Sequence, residues 1–123
     1  MISILVPIYN GIEFLDACVK TVRDQTYSEW EVLIGVNGHP VNSEVYQKAS
    51  KYASDKIRVL DLRTKGKSAS LNEMVKYCRY DYIAILDVDD LWLPKKLERQ
   101  VPFIQKGYDD MLMYILCIPK VSI

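Results

Sequence analysis

Asp87, Asp89 and Asp90 place three carboxylates within four positions, directly after the uncharged run Tyr82, Ile83, Ala84, Ile85, Leu86. That run reads as a buried strand, so the acids fall at its C-terminal end. Carboxylates this close repel one another and raise each other's pKa unless a cation neutralises them or water and backbone N–H groups solvate them. A divalent cation meets the need with one group. Oxygen-only ligands suit Mg2+ or Mn2+, hard ions that keep open positions for phosphate oxygens, so the cluster points to a metal-bridged phosphate substrate. The plainer alternative is a solvated turn, with Asp90 favoured by the dipole of a helix starting at Pro94.

A strand that ends in such a cluster needs a sheet to hold it. Ile2–Val6 reads as a first, central strand, and Pro7, Ile8, Tyr9, Asn10, Gly11 turn the chain. Asn10 with Glu13 three residues later fits a capping box for a helix whose apolar face is Phe14, Leu15, Cys18, Val19 and Val22, ending near Gln25. Trp30–Val36 is a second strand, stopped by Asn37, Gly38, His39, Pro40. Val45, Ala49 and Tyr52 have helical spacing, and Ile57–Leu62 alternates as a strand near an edge does. After the basic loop Arg63–Ser68, a helix with Leu71, Met74, Val75 and Cys78 on one face is expected to be capped by Ser68 or by Ser70 with Glu73. Beyond the acids, Pro94 suits a first helical turn, Leu97, Val101 and Ile104 share a face, and Pro102 is expected to disturb that helix. Met111–Ile118 reads as a last strand.

This alternation predicts an α/β fold: an open, mainly parallel sheet with helices on both faces and right-handed crossovers. Ligands of such sheets sit outside the carboxyl ends of the strands, where Asn10, the turn at Asn37 and the acids Asp87 to Asp90 would gather.

Composition narrows the function classes. The 123 residues suit one domain, half of them are apolar, and sixteen acids balance sixteen bases. A folded globular chain is expected, and the basic excess of a nucleic-acid binder is missing. Cys18, Cys78 and Cys117 lack metal-ligand spacing and read as reduced packing thiols of a cytoplasmic protein. Neither a signal peptide nor an apolar run of membrane-spanning length is evident.

The residues Val6, Pro7, Ile8, Tyr9, Asn10, the stretch Gly66 to Asn72, and Leu86, Asp87, Val88, Asp89, Asp90, Leu91, Trp92, Leu93, Pro94 with Lys96 and Leu97 resemble the family 2 glycosyltransferases of the Rossmann-like GT-A fold. The resemblance covers the chain to about Ile104. It implies transfer of a sugar, with inversion, from a nucleotide-sugar donor, UDP-linked in the first instance, to an acceptor that is a glycan, lipid or protein. It also implies Mn2+ or Mg2+ at an Asp-x-Asp pair, with Asp89 as the direct metal ligand, Asp87 on the ribose or a metal-bound water, and Asp90 as an orienting neighbour. Pro7, Ile8 and Tyr9 would floor the base pocket, and Lys65, Gly66 and Lys67 would approach the diphosphate. The implied nucleotide-sugar set is therefore Pro7, Ile8, Tyr9, Asn37, Lys67, Asp87, Val88 and Asp89.

Two departures from the family pattern stand out. Gly35, Val36, Asn37, Gly38, His39 replaces Val-Asp-Asp-Gly-Ser, so Asn37 stands without the usual carboxylate near the base. Ser70, Leu71, Asn72 replaces Ala-Arg-Asn, removing a cation. Family members carry a further segment with the general base and acceptor pocket, so residues 1–123 are expected to form a single, truncated donor-binding domain. Asp109 and Asp110 qualify as bases by residue type only.

Simpler roles stand beside these. The Lys65 and Lys67 loop also reads as a solvated turn, His39 as an exposed and idle turn residue, and Tyr27, Trp30, Tyr77, Tyr80 and Tyr82 as packing residues. An uncovered apolar stretch at Met111–Ile118 would favour a homo-oligomer. Three functions remain: a metal-dependent glycosyltransferase, a catalytically silent nucleotide-sugar binder needing a partner or further segment, and an α/β module whose aspartates only cap a helix.

Overall fold

The computed structural model describes residues 1–64 and 66–105. Lys65, Asp109, Asp110, Cys117 and the strand expected at Met111–Ile118 lie outside them. Four strands, β1 (Ile2–Ile8), β2 (Trp30–Asn37), β3 (Ile57–Leu62) and β4 (Tyr82–Ile85), form one sheet in the order β3-β2-β1-β4. Every pairing is parallel, with Ile2 opposite both Trp30 and Tyr82. The helices are α1 (Leu15–Arg23), α2 (Glu44–Ser50), α3 (Lys67–Val75) and α4 (Lys96–Gln105).

The strand period of two sorts the core into two layers. Ile2, Ile4, Val6 and Ile8 of β1 and Trp30, Val32, Ile34 and Val36 of β2 face α1 residues Leu15, Cys18, Val19 and Val22, with Ala49 of α2 and Leu97 of α4. Leu5, Leu33, Leu62 and Ile83 face the other way, onto Met74 of α3. Gly35 lets α3 approach, since a Cβ there would lie 2.6 Å from Met74 Sδ. Helices therefore cover both faces, and β3 and β4 form the two edges of the described sheet. The chain runs outward from β1 to β3 and returns to β4 on the other side of β1. This reversal opens a crevice at the C-terminal ends of β1 and β4.

The helix caps differ from the expected ones. Asn10 caps nothing: Gly11, with φ of 95°, leads into a short 3-10 turn, Ile12–Phe14, and α1 begins at Leu15. Ser43 caps α2, accepting from the Tyr46 N–H at 3.2 Å. Neither Ser68 nor Ser70 caps α3, which starts from Gly66. The Ser70 hydroxyl donates instead to the Gly66 carbonyl, a bond one turn back that suits a serine inside a helix. Glu73 accepts from the Arg63 and Thr64 N–H groups and the Thr64 hydroxyl, which ties down the β3–α3 loop. Helix α4 runs from Lys96 through Pro102 to Gln105.

Two buried polar side chains brace the strand that carries the acids. Glu31 of β2 accepts from the Ser3 hydroxyl at 2.6 Å, the Arg79 N–H at 2.7 Å and the Arg58 guanidinium at 3.0 Å. It thereby joins three strands to the segment entering β4. Gln25 donates to the Leu93 carbonyl and accepts from the Leu97 N–H, fixing the chain leaving the acids against the end of α1. Trp92 is buried in the core while its neighbours Leu91 and Leu93 stay exposed. Cys18 and Cys78 are free thiols, and no described helix is long and apolar enough to cross a membrane.

Burial pushes the Glu31 carboxyl up, but its hydrogen bonds from Ser3, Arg79 and Arg58 outweigh this and hold it below the ordinary 4.5. A depressed carboxyl pKa gives stability that is complete above the unfolded value and lost as pH falls through the folded one. Glu31→Gln should therefore lower stability by about 2 kcal/mol at pH 7. The gap to the parent should shrink below pH 4.5. Urea unfolding across pH measures it, and a gap that does not change with pH contradicts the assignment.

Candidate functional site

The crevice is a cleft of about 950 Å3, walled by the exits of β1, β2 and β4 and by the start of α3. Pro7, Ile8, Tyr9, Asn37, Lys67, Asp87, Val88 and Asp89, all singled out from sequence, line it together. Their exposures divide the work. Ile8 and Val88 are 1% and 8% exposed and belong to the core, so they form the floor, whereas Tyr9 is 62% exposed and available to a ligand.

The Tyr9 ring is placed by β2. Gly38 has φ of 80°, and a Cβ there would come 2.6 Å from Tyr9 Cε1, so only glycine allows both the turn and the approach of the ring. His39 Nε2 lies 2.7 Å from the Tyr9 carbonyl oxygen, and the two rings stand 5.6 Å apart with a 33° tilt. His39 is thus a brace between the two strand ends rather than an idle turn residue. Its partner lies thirty positions away, and no local pattern announces the contact.

Asn37 ends β2 and donates through Nδ2 to the Ser70 hydroxyl, which donates to the Gly66 carbonyl at 2.7 Å. This relay sets the first turn of α3 against the exit of β2. Ser70 is 1% exposed and lines the cleft, a role its reading as a helix cap did not anticipate. The nine-residue α3 points its N-terminal end at the cleft through Gly66 and Lys67. Unpaired helix N–H groups and the positive end of the dipole favour an anion there.

Asp87 lies two residues past Ile85, whose register partner is Leu5, and so stands beside the exit of β1. The Leu86 N–H extends the ladder to the Leu5 carbonyl, and the Asp90 N–H closes a turn on the Asp87 carbonyl. Gly11 keeps this turn close, since a Cβ there would meet Val88 Cγ1 at 3.0 Å. Lys67 Nζ reaches across to Asp87 Oδ1 at 2.5 Å. Asp87 is the more enclosed partner, with 17% of its side chain exposed against 58% for Lys67.

The acidic field extends into the core. Burial first, and then the charges of Asp90, Asp87 and Asp89, push the Cys18 thiol up to about 12. Cys18 is fully buried in the core and serves as a packing group. Among the described residues no three His, Cys, Asp or Glu side chains gather as a closed metal cage. Two carboxylates, Asp87 and Asp89, at the edge of an open cleft suit a hard cation that takes its remaining ligands from phosphate and water.

The family model of glycosyl transferase family 2 matches residues 3–119. The Escherichia coli protein WfgD, named as UDP-Glc:alpha-D-GlcNAc-diphosphoundecaprenol beta-1,3-glucosyltransferase, is 32% identical over 108 residues, covering 87% of this chain and 42% of that protein. The putative glycosyltransferase EpsE of Bacillus subtilis is 31% identical, covering 85% of this chain and 38% of its own. Among solved structures, Staphylococcus aureus TarS 1–349 in complex with UDP-GlcNAc superposes with a TM-score of 0.74 at 21% identity, covering 87% of this chain and 32% of that one. The mannosyltransferase PcManGT of Pyrobaculum calidifontis, in complex with GDP-Man and Mn2+, gives 0.69 at 18% identity, covering 84% and 32%. The chain thus spans less than half the length of these relatives. With the GT-A-type sheet and a family match running nearly end to end, the chain belongs to glycosyl transferase family 2.

Proposed function

We propose that this chain forms the donor site of an inverting glycosyltransferase that takes its sugar from a nucleotide diphosphate sugar, UDP-linked in the first instance. The observation that carries the reading is the meeting, in one cleft, of an exposed aromatic platform, an anion-favouring helix start and a carboxylate pair. Tyr9, set on Gly38 and held by His39, offers its face to a base. Asn37 gives one of its two amide N–H groups to Ser70, and its side-chain carbonyl oxygen would accept from a base N–H, such as uracil N3–H. Lys67 and the first turn of α3 face the diphosphate.

Asp89, exposed at the rim, would bind a divalent cation directly, and Asp87 would do so directly or through water or hold the ribose. When bound, Mn2+ or Mg2+ supplies positive charge against the diphosphate as it leaves. The protein's part is to fix the donor: the base on Tyr9, the diphosphate at α3, and the sugar over the mouth of the cleft. The acceptor hydroxyl needs a base to take its proton, which we assign to chain outside the described residues together with the acceptor pocket. The acceptor class, be it glycan, lipid or protein, follows from that segment. A second reading is a catalytically silent nucleotide-sugar binder that needs a partner or a further segment for turnover.

Calorimetry with UDP, UDP-glucose and GDP-mannose, with and without Mn2+, should give metal-dependent heat with at least one nucleotide. Silence with all of them would refute both readings, and a released-nucleotide assay separates enzyme from binder. Asp89→Ala should abolish the metal-dependent part of binding while circular dichroism stays unchanged; a variant that binds like the parent disproves the metal assignment. Tyr9→Ala should weaken nucleotide binding about tenfold, the scale of one base stacked on an aromatic ring. Equal affinities would remove Tyr9 from the base site.

A further inference from the structure

We infer that Lys67 is a resident counter-ion of the acidic site, and that it makes the site's affinity for a divalent cation depend on the presence of an anionic donor. The inference rests on the donor-site reading above and adds an order of events to it. Lys67 and Asp87 come from opposite walls of the cleft, the first residue of α3 and the exit of β4, and their side chains meet at 2.5 Å. This is a direct charge-assisted contact.

The pair is unequal in freedom. Asp87 is enclosed, with 17% of its side chain exposed, and its backbone is tied into the turn with Asp90. Lys67 is 58% exposed and ends a flexible four-carbon stem. Lys67 is therefore the partner able to leave. A divalent cation arriving alone must compete with the ammonium for Asp87 and meets its repulsion at close range. A cation arriving with a diphosphate meets different conditions. The two enter as a nearly neutral pair, the ammonium exchanges the carboxylate for phosphate oxygens beside the α3 N-terminus, and Asp87 passes to the cation. Asp89, which makes no ion pair among the described residues, is open to the cation throughout. On this account Lys67 serves the free protein by neutralising Asp87 and the loaded protein by holding the donor.

The test is titration of the full chain with Mn2+, followed by the electron paramagnetic resonance of free Mn2+, with and without UDP. The parent should bind Mn2+ about tenfold more weakly without UDP than with it, and Lys67→Met should bind Mn2+ alone about tenfold more tightly than the parent. Lys67→Arg, which keeps the cation, should restore the parent's dependence on UDP. Circular dichroism of the variants controls for folding, which an exposed side chain at a helix start is not expected to disturb. If Lys67→Met binds Mn2+ alone no better than the parent, or if the parent's Mn2+ affinity ignores UDP, the counter-ion role is overturned and the donor reading stands. A parent that fails to bind Mn2+ with UDP, UDP-glucose and GDP-mannose alike overturns both.

Discussion

Negative charge at the end of a buried strand has to be balanced, and much of this cleft answers that constraint. Asp87, Asp89 and Asp90 sit where β4 leaves the core, and their field reaches Cys18 beneath them. The fold meets the charge with the ammonium of Lys67, delivered by the first turn of α3, and with the open side of the crevice, where Asp89 is exposed. Helix α3 is in place for this because Gly35 lets Met74 pack closely onto β2, and because Asn37 and Ser70 tie its first turn to the end of that strand.

Elsewhere in the cleft, Gly38 leaves room for the Tyr9 ring and His39 bonds the Tyr9 carbonyl, which holds the exits of β1 and β2 together. Glu31 and Gln25 perform the corresponding task for the acidic segment, anchoring the chain before β4 and after Trp92. Neither side chain lines the cleft. Both belong to the group of buried polar residues that decide where a functional loop lies without touching what it binds.

Membership of glycosyl transferase family 2 agrees with the geometry at the level of the fold. The chain also carries its own variations. An amide stands at Asn37 in place of a carboxylate, and Ser70 uses its hydroxyl to position that amide. The two substitutions are coupled in space: each supplies the other's hydrogen-bond partner.

Strand and helix order, the parallel sheet and the acidic cluster were all legible in the sequence. They depend on local signals: apolar runs, a period of two or 3.6, and residue types adjacent along the chain. The gathering of Asn10, Asn37, Asp87 and Asp89 also followed, since parallel strands deliver their ends to one side of the sheet, whereas Pro7, Tyr9 and Lys67 were pointed to by the family resemblance. The caps were misassigned because Asn10, Ser68 and Ser70 fit capping patterns, while the backbone at Gly11 and Gly66 adopts positive φ and starts the helical turns from there. Only the tertiary structure decided the pairs Lys67–Asp87, Asn37–Ser70 and His39–Tyr9, whose members lie 20, 33 and 30 positions apart. Sequence determines which groups can pair, but contacts of this separation form only when sheet register and helix packing bring the strand ends within hydrogen-bond reach.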